Sequence, residues 1–307
     1  MRIVAVDYRT ARWTIAPTGA ARGVRERSAA QLGVRDESGA IGLGEAAPLP
    51  GMSIDQVVDA ERAFRDLAGR LPLVLDTPGH ASAIADRITP APAARFAIET
   101  ALLAAFAQRA RTSVASLLCT MPQAELDSAV VVDDEYEALV AVGSGARCLK
   151  IKVTDDLARV RAIAAAVPAT RLRIDVNRGW SREVAVANIA ALADLPIDYI
   201  EEPCRDAHEL LATPLALRIA LDESLVELGP DELSRALASP QLAAIVLKPT
   251  LLGGFARCLE LAALAHRHGV APIVSHTLEG PIGLAACHEL ARAVGADVPV
   301  GLGRPLR

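Results

Sequence analysis

The chain has few aromatic residues, 3% of its 307, and no uninterrupted apolar run near the roughly 20 residues that a membrane-spanning helix needs. It also lacks a basic excess, because the formal net charge is −5 at pH 7 and no basic run is interleaved with aromatic residues. Without a basic field, contact with a phosphate backbone is not indicated. We therefore expect no nucleic-acid partner and no membrane partner.

Cysteine is scarce and irregularly spaced. The five cysteines are Cys119, Cys148, Cys204, Cys258 and Cys287, an odd number without a C-x-x-C pair. Neither a disulfide framework nor a zinc site is indicated. The first 15 residues alternate like a strand and lack the apolar core of a signal peptide. We expect reduced cysteines in the core of a cytoplasmic protein.

Small and aliphatic apolar residues are what the chain has in excess. Apolar residues make up 52% of the sequence, and most of them are Ala, Leu and Val. This composition suits helices packed on buried strands and predicts an α/β protein. The length allows one large domain or two modest ones.

The first hundred residues or so differ in pattern from the rest. Residues 1 to about 47 contain alternating runs separated by the turn signal Asp-Glu-Ser-Gly, which predicts an antiparallel opening. The segment PLPGMS, residues 48–53, predicts a loop, followed by a helix that begins near Ser53 with Asp55 in its first turn. A further helical pattern starts near residue 91. The change of pattern there indicates a domain boundary.

Beyond that boundary, short β-branched or apolar runs alternate with alanine-rich helical ones. The eight strand candidates are SAVVVDD, ARCLKIKV, RLRIDVN, PIDYIEEP, LRIALDES, LAAIVLKP, VAPIVSH and VPVGLGR. The polar residues that mark successive strand ends, from Lys152 to Ser275, are 21 to 27 positions apart, about one βα unit each. The pattern predicts a β/α barrel.

Three carboxylates stand at the ends of consecutive strand candidates: Asp175, Glu201 and Asp222. The carboxyl ends of parallel strands converge at one end of a barrel, so we expect these side chains to lie close together. Any one of them could be a helix cap, but three together would repel one another unless a cation neutralised them. Oxygen ligands without histidine or cysteine predict Mg²⁺, with Mn²⁺ as the alternative, over zinc.

Three lysines accompany the carboxylates. Lys150 and Lys152 are two positions apart and therefore share one face of a strand. We expect each ammonium to depress the pKa of the other, as a lysine general base requires near neutral pH. Lys248 lies four strands further on, where we expect it to face the pair across the barrel mouth, with a reacting carbon between them. The ordinary alternative for each lysine is a solvated strand end or a salt bridge.

These motifs together resemble the enolase superfamily, and specifically its muconate-lactonizing subgroup, over nearly the whole chain. The match rests on K-x-K at Lys150 and Lys152, D-x-N from Asp175, EEP from Glu201, DES from Asp222 and LKP around Lys248. The resemblance implies an N-terminal α+β capping domain over residues 1–95 and a modified TIM-type (β/α)7β barrel over residues 96–307, with the C-terminal tail returning to the cap. It also implies that the three carboxylates hold Mg²⁺ and that Lys152 and Lys248 form the acid/base pair.

Within the subgroup, the chain resembles the o-succinylbenzoate synthase family of menaquinone biosynthesis. The resemblance lies in the segments GLGEAAPLPGMS, EEPC, ALDES, LKPTLLGG and VSHTLEGPIGL. It implies a Mg²⁺-dependent lyase that removes a proton alpha to a carboxylate and eliminates water. In that reaction Lys152 would take the proton of a small-molecule carboxylate substrate. Lys248 would support the developing anion as a fixed cation, and Lys150 would tune Lys152.

Several alternatives remain open. Dipeptide epimerases usually carry D-x-D where this chain has GLGRP, and N-succinylamino acid racemases usually carry Arg where this chain has Leu251. A muconate-type cycloisomerase would use the same lysine pair. A barrel that serves only as a scaffold is the alternative outside the enzymes, and the sequence leaves self-association into a homo-oligomer open.

Other residues are candidates for substrate contact or for support of the ligands. Asn177 would face the same side as Asp175, whereas Glu202 and Glu223 sit beside ligands and would point away from them. The cap loop that we expect to close over the substrate consists of Leu49, Pro50, Gly51, Met52 and Ser53.

Two further pairs follow the last strands of the pattern. Gly253 and Gly254 could offer N–H groups to a substrate carboxylate or form a plain loop. Ser275 is followed by His276, where the resembling family commonly has a serine-rich segment. We expect His276 to contact substrate or to be structural.

Overall fold

The computed structural model describes residues 1–15 and 25–303, and these divide into two compact units. The first unit is formed by Met1–Glu125, Leu247–Leu261 and Val274–Gly295. The second is formed by Leu126–Val246, Ala262–Ile273 and the stretch from Ala296. The expected boundary near residue 95 stays a prediction, as does the return of the C-terminal tail, since residues 304–307 lie outside the described part.

Strands and helices alternate along most of the chain. The strands are β1 (Arg2–Thr14), β2 (Glu26–Asp36), β3 (Ile41–Ala46), β4 (Leu73–Val74), β5 (Val130–Val131), β6 (Cys148–Lys152), β7 (Arg171–Asp175), β8 (Ile197–Glu201), β9 (Ile219–Leu221), β10 (Leu242–Leu247) and β11 (Ala271–Val274). The helices are α1 (Val57–Gly69), α2 (His80–Ile88), α3 (Pro92–Ala110), α4 (Val114–Leu118), α5 (Glu135–Gly143), α6 (Leu157–Ala166), α7 (Arg182–Ala191), α8 (Ala207–Leu210), α9 (Ser224–Glu227), α10 (Pro230–Ala238), α11 (Pro249–Leu252), α12 (Phe255–Arg267) and α13 (Pro281–Val294).

The first unit contains an antiparallel sheet in the order β3-β2-β1-β4. The turn between β2 and β3 is closed by Asp36, whose Oδ1 accepts hydrogen bonds from the backbone N–H of Ser38 and of Ala40 at 2.9 and 2.8 Å. Aspartate commonly closes turns in this way. The predicted antiparallel opening is confirmed.

Helix α3 packs on β3 at very close range. A Cβ atom at Gly42 would overlap the carbonyl oxygen of Ala101, and one at Gly44 would overlap that of Ala97. Only glycine allows this approach, because any side chain would meet the helix backbone. The helix predicted from about residue 91 is confirmed as α3.

The segment 48–53 is a loop, as predicted, but the helix after it begins later than expected. Helix α1 starts at Val57 with Gln56 as its N-cap, and not near Ser53. At this position Oδ2 of Asp59 accepts a hydrogen bond from the backbone N–H of Gln56 at 2.9 Å, which caps the helix start. Asp55 instead accepts a hydrogen bond from the backbone N–H of Ala93, at the start of α3, at 2.8 Å.

Seven parallel strands form a second sheet, in the order β11-β10-β9-β8-β7-β6-β5. It belongs to the second unit, except for the last residue of β10 and of β11. Seven of the eight strand candidates are confirmed. The eighth, VPVGLGR, contributes within the described residues an isolated parallel bridge between Val300 and Ser128. The parallel β/α sheet and the N-terminal α+β sheet confirm the predicted fold class.

The parallel sheet is buried, as its composition predicts. Every residue of β10 is buried, and Tyr199 belongs to a buried apolar cluster with Ala220, Ala244 and Ile273. Cysteines 148, 204, 258 and 287 are buried and Cys119 is half-buried, all as free thiols. No helix in the described part of the chain has the length and apolar character to cross a membrane.

Candidate active site

The register of the parallel sheet brings the predicted site residues to one level. Lys152 at the end of β6 pairs with Asp175 at the end of β7, and Asp175 pairs with Glu201 at the end of β8. Asp222 directly follows β9. Because all of these strands are parallel, their carboxyl ends carry the polar side chains at the same edge of the sheet.

Both lysines of β6 contact the carboxylates directly. The Nζ atom of Lys150 lies 2.8 Å from Oε1 of Glu201 and 2.9 Å from Oδ2 of Asp175. The Nζ atom of Lys152 lies 2.8 Å from the same Oδ2 and 2.8 Å from Oδ1 of Asn177. The shared contact with Asp175 confirms that Lys150 and Lys152 face the same side of the strand.

These charges are shielded from solvent. Asp175 and Glu201 are each 2% exposed and Asp222 is 3% exposed, while the lysine side chains are 16% and 17% exposed. Burial raises the pKa of Asp175, but the charges of Lys150 and Lys152 outweigh burial and hold this pKa far below its ordinary value. The ammonium groups therefore neutralise carboxylates that would otherwise repel one another.

The expectation that the paired lysines depress each other's pKa is wrong for Lys150. Burial lowers the pKa of Lys150, but the charges of Asp175 and Glu201 outweigh burial and raise the pKa well above its ordinary value. Contact with two carboxylates dominates over repulsion from one neighbouring ammonium. Lys150 is therefore a fixed cation in this arrangement.

The chemistry of the donors fits a hard divalent cation. The proposed ligands supply only oxygen, they are buried, and one ammonium nitrogen already bridges two of them, as a cation would. As the side chains stand, however, no three Asp, Glu, His or Cys residues within 1–15 and 25–303 form a cluster that could hold a metal ion. Ligation of Mg²⁺ by Asp175, Glu201 and Asp222 accordingly stays a prediction.

The second glutamate of the EEP motif, Glu202, forms hydrogen bonds with residues at or near the proposed ligands. Glu202 is fully buried and accepts hydrogen bonds from the backbone N–H of Asp222 at 2.7 Å and from Nε of Arg178 at 3.0 Å. Burial raises the pKa of Glu202 to about 7, although the hydrogen bonds from Ser224 and Asp222 lower it. Glu223, 7% exposed, precedes α9 as its N-cap residue.

The residues predicted downstream of β10 belong to the first unit. Lys248 directly follows β10, is 8% exposed and starts α11, and β10 is four strands from β6 in the sheet. The N–H groups of Gly253 and Gly254 both donate to the carbonyl of Pro249, at 2.9 and 3.0 Å. This hydrogen bonding accounts for both N–H groups without a substrate. The facing of Lys248 towards the lysine pair stays a prediction.

The predicted cap loop is internally hydrogen-bonded. The backbone N–H of Leu49 donates to Oγ of Ser53 at 2.8 Å, Met52 N donates to the carbonyl of Leu49 at 3.0 Å, and Gly51, which follows Pro50, has φ +80°. Ser275 is buried at the end of β11, and Nδ1 of His276 accepts a hydrogen bond from the N–H of Leu278 at 3.0 Å. Substrate contact by any of these residues stays a prediction.

Comparison with known proteins identifies the family. A family model described as Enolase C-terminal domain-like matches residues 133–301. The o-succinylbenzoate synthase of Pectobacterium atrosepticum is 30% identical over 272 residues, which cover 85% of this chain and 78% of the relative. The chain belongs to the enolase superfamily.

One more relative and two solved structures are also similar to this chain. The o-succinylbenzoate synthase of Edwardsiella ictaluri is 31% identical over 87% of this chain and 79% of the relative. The dipeptide epimerase from Methylococcus capsulatus, solved with Mg and the dipeptide L-Arg-D-Lys, has a TM-score of 0.86 at 26% identity. The alignment covers 98% of this chain and 90% of the epimerase chain. The muconate lactonizing enzyme from Pseudomonas putida has a TM-score of 0.80 at 23% identity. The alignment covers 98% of this chain and 87% of that enzyme, and it shows the fold alone.

Membership in the enolase superfamily confirms the resemblance to this superfamily that was drawn from the motifs. It also confirms that the protein is an enzyme, similar to the o-succinylbenzoate synthase lyases. The idle-scaffold alternative is set aside.

Sequence reasoning missed two arginines that this enzyme uses structurally. Arg178 follows the D-x-N motif directly, and that adjacency is the one signal that could have indicated it. Arg27 is 1% exposed and donates to the carbonyls of Pro48 and Thr277 at 2.7 and 3.0 Å, so it ties the start of the cap loop to the segment after His276. No sequence pattern indicated that Arg27 would be buried.

Proposed function

We propose that this protein is a Mg²⁺-dependent o-succinylbenzoate synthase of menaquinone biosynthesis. It would remove the proton alpha to the carboxylate of a hydroxylated cyclohexadiene and eliminate water. The observation that carries the proposal is the buried cluster in which Lys150 and Lys152 contact Asp175 and Glu201 at 2.8 to 2.9 Å. The similarity to two o-succinylbenzoate synthases over more than four fifths of the chain supports the choice of substrate.

Lys152 is the better candidate for the base. Its Nζ contacts one carboxylate and the neutral amide of Asn177, whereas Nζ of Lys150 contacts two carboxylates. An ammonium held by two carboxylates gives up its proton less readily than one held by a single carboxylate. Lys150 would then remain protonated as a fixed charge beside Lys152.

Asp175, Glu201 and Asp222 would hold the cation through their oxygen atoms. When bound, Mg²⁺ would neutralise the substrate carboxylate and so make the adjacent C–H bond more acidic. Lys152 would take the proton, and the C–H electron pair would form a double bond as the C–O bond to the neighbouring hydroxyl breaks. The proton and the departing hydroxide together make one water, so the elimination is balanced.

Lys248 would act as a further fixed cation that supports the developing anion. It is buried at the carboxyl end of β10, where desolvation strengthens its interaction with developing negative charge. Replacement by methionine would remove the charge while keeping the length of the side chain. A turnover loss of about 10²-fold would fit the loss of one electrostatic stabiliser.

A substrate panel tests the proposal. The purified protein with Mg²⁺ is offered the cyclohexadiene carboxylate, an N-succinyl amino acid series and a dipeptide series, and dehydration is followed by ultraviolet absorbance. We expect dehydration to have the highest kcat/KM, and Arg161→Gln, on the exposed surface, serves as a matched control with full activity. Failure to dehydrate the cyclohexadiene while another class turns over would contradict the substrate assignment.

Epimerisation is a second candidate function, favoured by the TM-score of 0.86 with a dipeptide epimerase at 26% identity. It would use the same proton removal by Lys152 and return a proton from Lys248 to the opposite face, without loss of hydroxide. Incorporation of deuterium at the alpha carbon of a dipeptide in deuterated water would support it. Dehydration without such exchange would argue for the synthase.

A further inference from the structure

Three strand ends that carry the proposed ligands are joined by a buried network outside the ligand set. It consists of Arg178 after β7, Glu202 after β8 and Ser224 at the start of α9, and we refer to these three residues as the brace. Glu202 is 0% exposed and Ser224 is 1% exposed, so the network is shielded from water. Each member lies close in sequence to a different proposed ligand. Arg178 lies three residues after Asp175, Glu202 directly after Glu201, and Ser224 two residues after Asp222.

Glu202 uses both carboxylate oxygens in the brace. Its Oε2 accepts the backbone N–H of Asp222 at 2.7 Å. Its Oε1 accepts the backbone N–H and the hydroxyl of Ser224, and also Nε of Arg178 at 3.0 Å. The contact with the Asp222 backbone fixes the start of the segment that carries the third proposed ligand.

Arg178 connects the brace to the strand of Asp175. Its backbone N–H donates to the carbonyl of Glu202 at 2.8 Å, and its Nη2 lies 3.2 Å from Oγ of Ser224. On its outer side, Nη1 and Nη2 make a forked contact with Glu227, each at 2.8 Å. Glu227 is 61% exposed, so this outer contact is open to solvent.

The backbone around the brace is held in an unfavourable conformation. Asn177, Arg178 and Glu202 have φ of +47°, +64° and +45°, although none of them is glycine. Such residues each cost on the order of 1 kcal/mol and persist where the surroundings enforce them. A loop with no geometric task would be expected to use glycine at these positions. The strain points to a fixed spacing between the strand ends.

We propose that Arg178 and Glu202 are positioning residues that set the spacing of Asp175, Glu201 and Asp222 for a divalent cation. The inference rests on the proposed metal site and deepens it. Mg²⁺ and Mn²⁺ demand near-octahedral oxygen geometry, so small shifts of the ligand-bearing strand ends weaken binding strongly. Groups that orient metal ligands typically contribute 10- to 100-fold to metal affinity.

The test measures Mn²⁺ affinity directly, without substrate, by the electron paramagnetic resonance signal of free Mn²⁺. Glu202→Gln keeps the shape but places an amide NH₂ against donors that need an acceptor. We expect its Kd for Mn²⁺ to rise at least tenfold. The matched control is Glu227→Gln, which alters the same arginine from its solvent side and should change Kd by no more than about threefold.

The outcomes separate positioning from plain stability. Melting temperatures in chelator report the metal-free fold of each variant. If Glu202→Gln lowers the melting temperature but raises the Kd for Mn²⁺ less than tenfold, the inference is overturned and Glu202 has a purely structural role. Should wild-type protein bind no Mn²⁺, the proposed metal site itself fails and the inference fails with it.

A second variant keeps the test decisive if Glu202→Gln does not fold. Arg178→Lys keeps the positive charge but cannot reproduce the fork that reaches Glu202, Ser224 and Glu227 together. We expect a tenfold or greater rise in Kd for Mn²⁺. An affinity equal to that of Glu227→Gln would overturn the inference.

Discussion

Asp36 closes the turn between β2 and β3 with a carboxylate that is fully shielded from solvent. Burial raises the pKa of Asp36, but hydrogen bonds from Arg109 and Ser38 and from the backbone of Ala40 outweigh burial and lower this pKa to about 2. Because the folded pKa is the lower one, the unfolded chain binds the proton more tightly. The stabilisation is present above the unfolded pKa and is lost as pH falls through about 2.

This shift predicts a pH-dependent difference between wild type and Asp36→Asn. We expect wild type to be more stable by roughly 2 kcal/mol at pH 6, with the difference shrinking as pH falls from about 4 towards 2. Urea unfolding at a series of pH values measures it. The control is Glu37→Gln, which is half exposed and lies 3.6 Å from the same arginine. A difference that does not change with pH would contradict this account.

Lys150 shows what residue spacing can and cannot predict. The spacing of two positions correctly placed Lys150 and Lys152 on one face of β6, because strand geometry alone determines it. The direction of the pKa shift of Lys150 was predicted wrongly. It depends on carboxylates 25 and 51 positions away along the chain, and spacing within one strand carries no information about their distance from Nζ.

At the scale of elements, the contact between α3 and β3 depends on Gly44. A Cβ atom there would overlap the carbonyl oxygen of Ala97 and lie 2.7 Å from its carbon. These are backbone atoms that cannot rotate away. We predict that Gly44→Ala lowers the free energy of unfolding by about 1 to 3 kcal/mol or more.

Gly69→Ala is the matched control for this substitution. Gly69 ends α1, and a Cβ atom there would have no atom within 4 Å. Alanine at a helical position should be neutral or stabilising by up to about 1 kcal/mol. Urea unfolding midpoints compare both variants with wild type. Equal stability of Gly44→Ala and wild type would mean that the helix can move away from the strand.

Element boundaries were less predictable than element types. The alternation of apolar strand segments with alanine-rich helical segments predicted the seven parallel strands, because each segment shows its own hydrophobic periodicity. The start of α1 was missed by a few residues, because Asp55 caps α3 and leaves α1 to Gln56. The start of α12 is likewise held by Glu99 of α3, whose carboxylate accepts the N–H groups of Phe255 and Ala256. Caps supplied by distant side chains have no local signal.

Gly254 illustrates the same limit. The sequence allowed two interpretations of this glycine, an N–H group for a substrate or a plain loop. In the structure, a Cβ atom at this position would overlap Oε2 of Glu99. The residue also has φ +115°, which side-chain-bearing residues rarely adopt. Glycine is therefore explained by packing and backbone conformation. Burial raises the pKa of Glu99 to about 7, although the N–H groups of Ala256 and Phe255 lower it.

For the whole molecule, the proposed metal site predicts stabilisation by Mg²⁺. A ligand that binds only the folded state adds about 2.7 kcal/mol when it is present at 100 times its Kd. We therefore expect the melting temperature of chelator-treated protein to rise by several degrees with Mg²⁺ or Mn²⁺. Asp222→Asn should lose this rise, and Asp194→Asn, on the exposed surface, should keep it. No rise with either ion in wild type would contradict the metal proposal.

The family and the fold could be predicted for the whole molecule because five short motifs recur at strand ends in a fixed order. The hydrogen bonds that support these strand ends could not be predicted from the sequence. Arg27 contacts Thr277, 250 positions further along the chain, and Glu202 links three strand ends, so both depend on tertiary contacts. Substrate choice also remained open, because one fold can carry several activities and the residues around the substrate decide between them.

The proposed function depends most directly on Lys152 as the base that would remove the alpha proton of the substrate. The most direct measurement is kcat for dehydration of the cyclohexadiene carboxylate by Lys152→Ala in saturating Mg²⁺, beside wild type and with Mn²⁺ binding checked in both. The account predicts a loss of at least about 100-fold with metal binding retained, since a positioned base contributes roughly 10²- to 10⁴-fold. Retention of more than about a hundredth of wild-type turnover would contradict it.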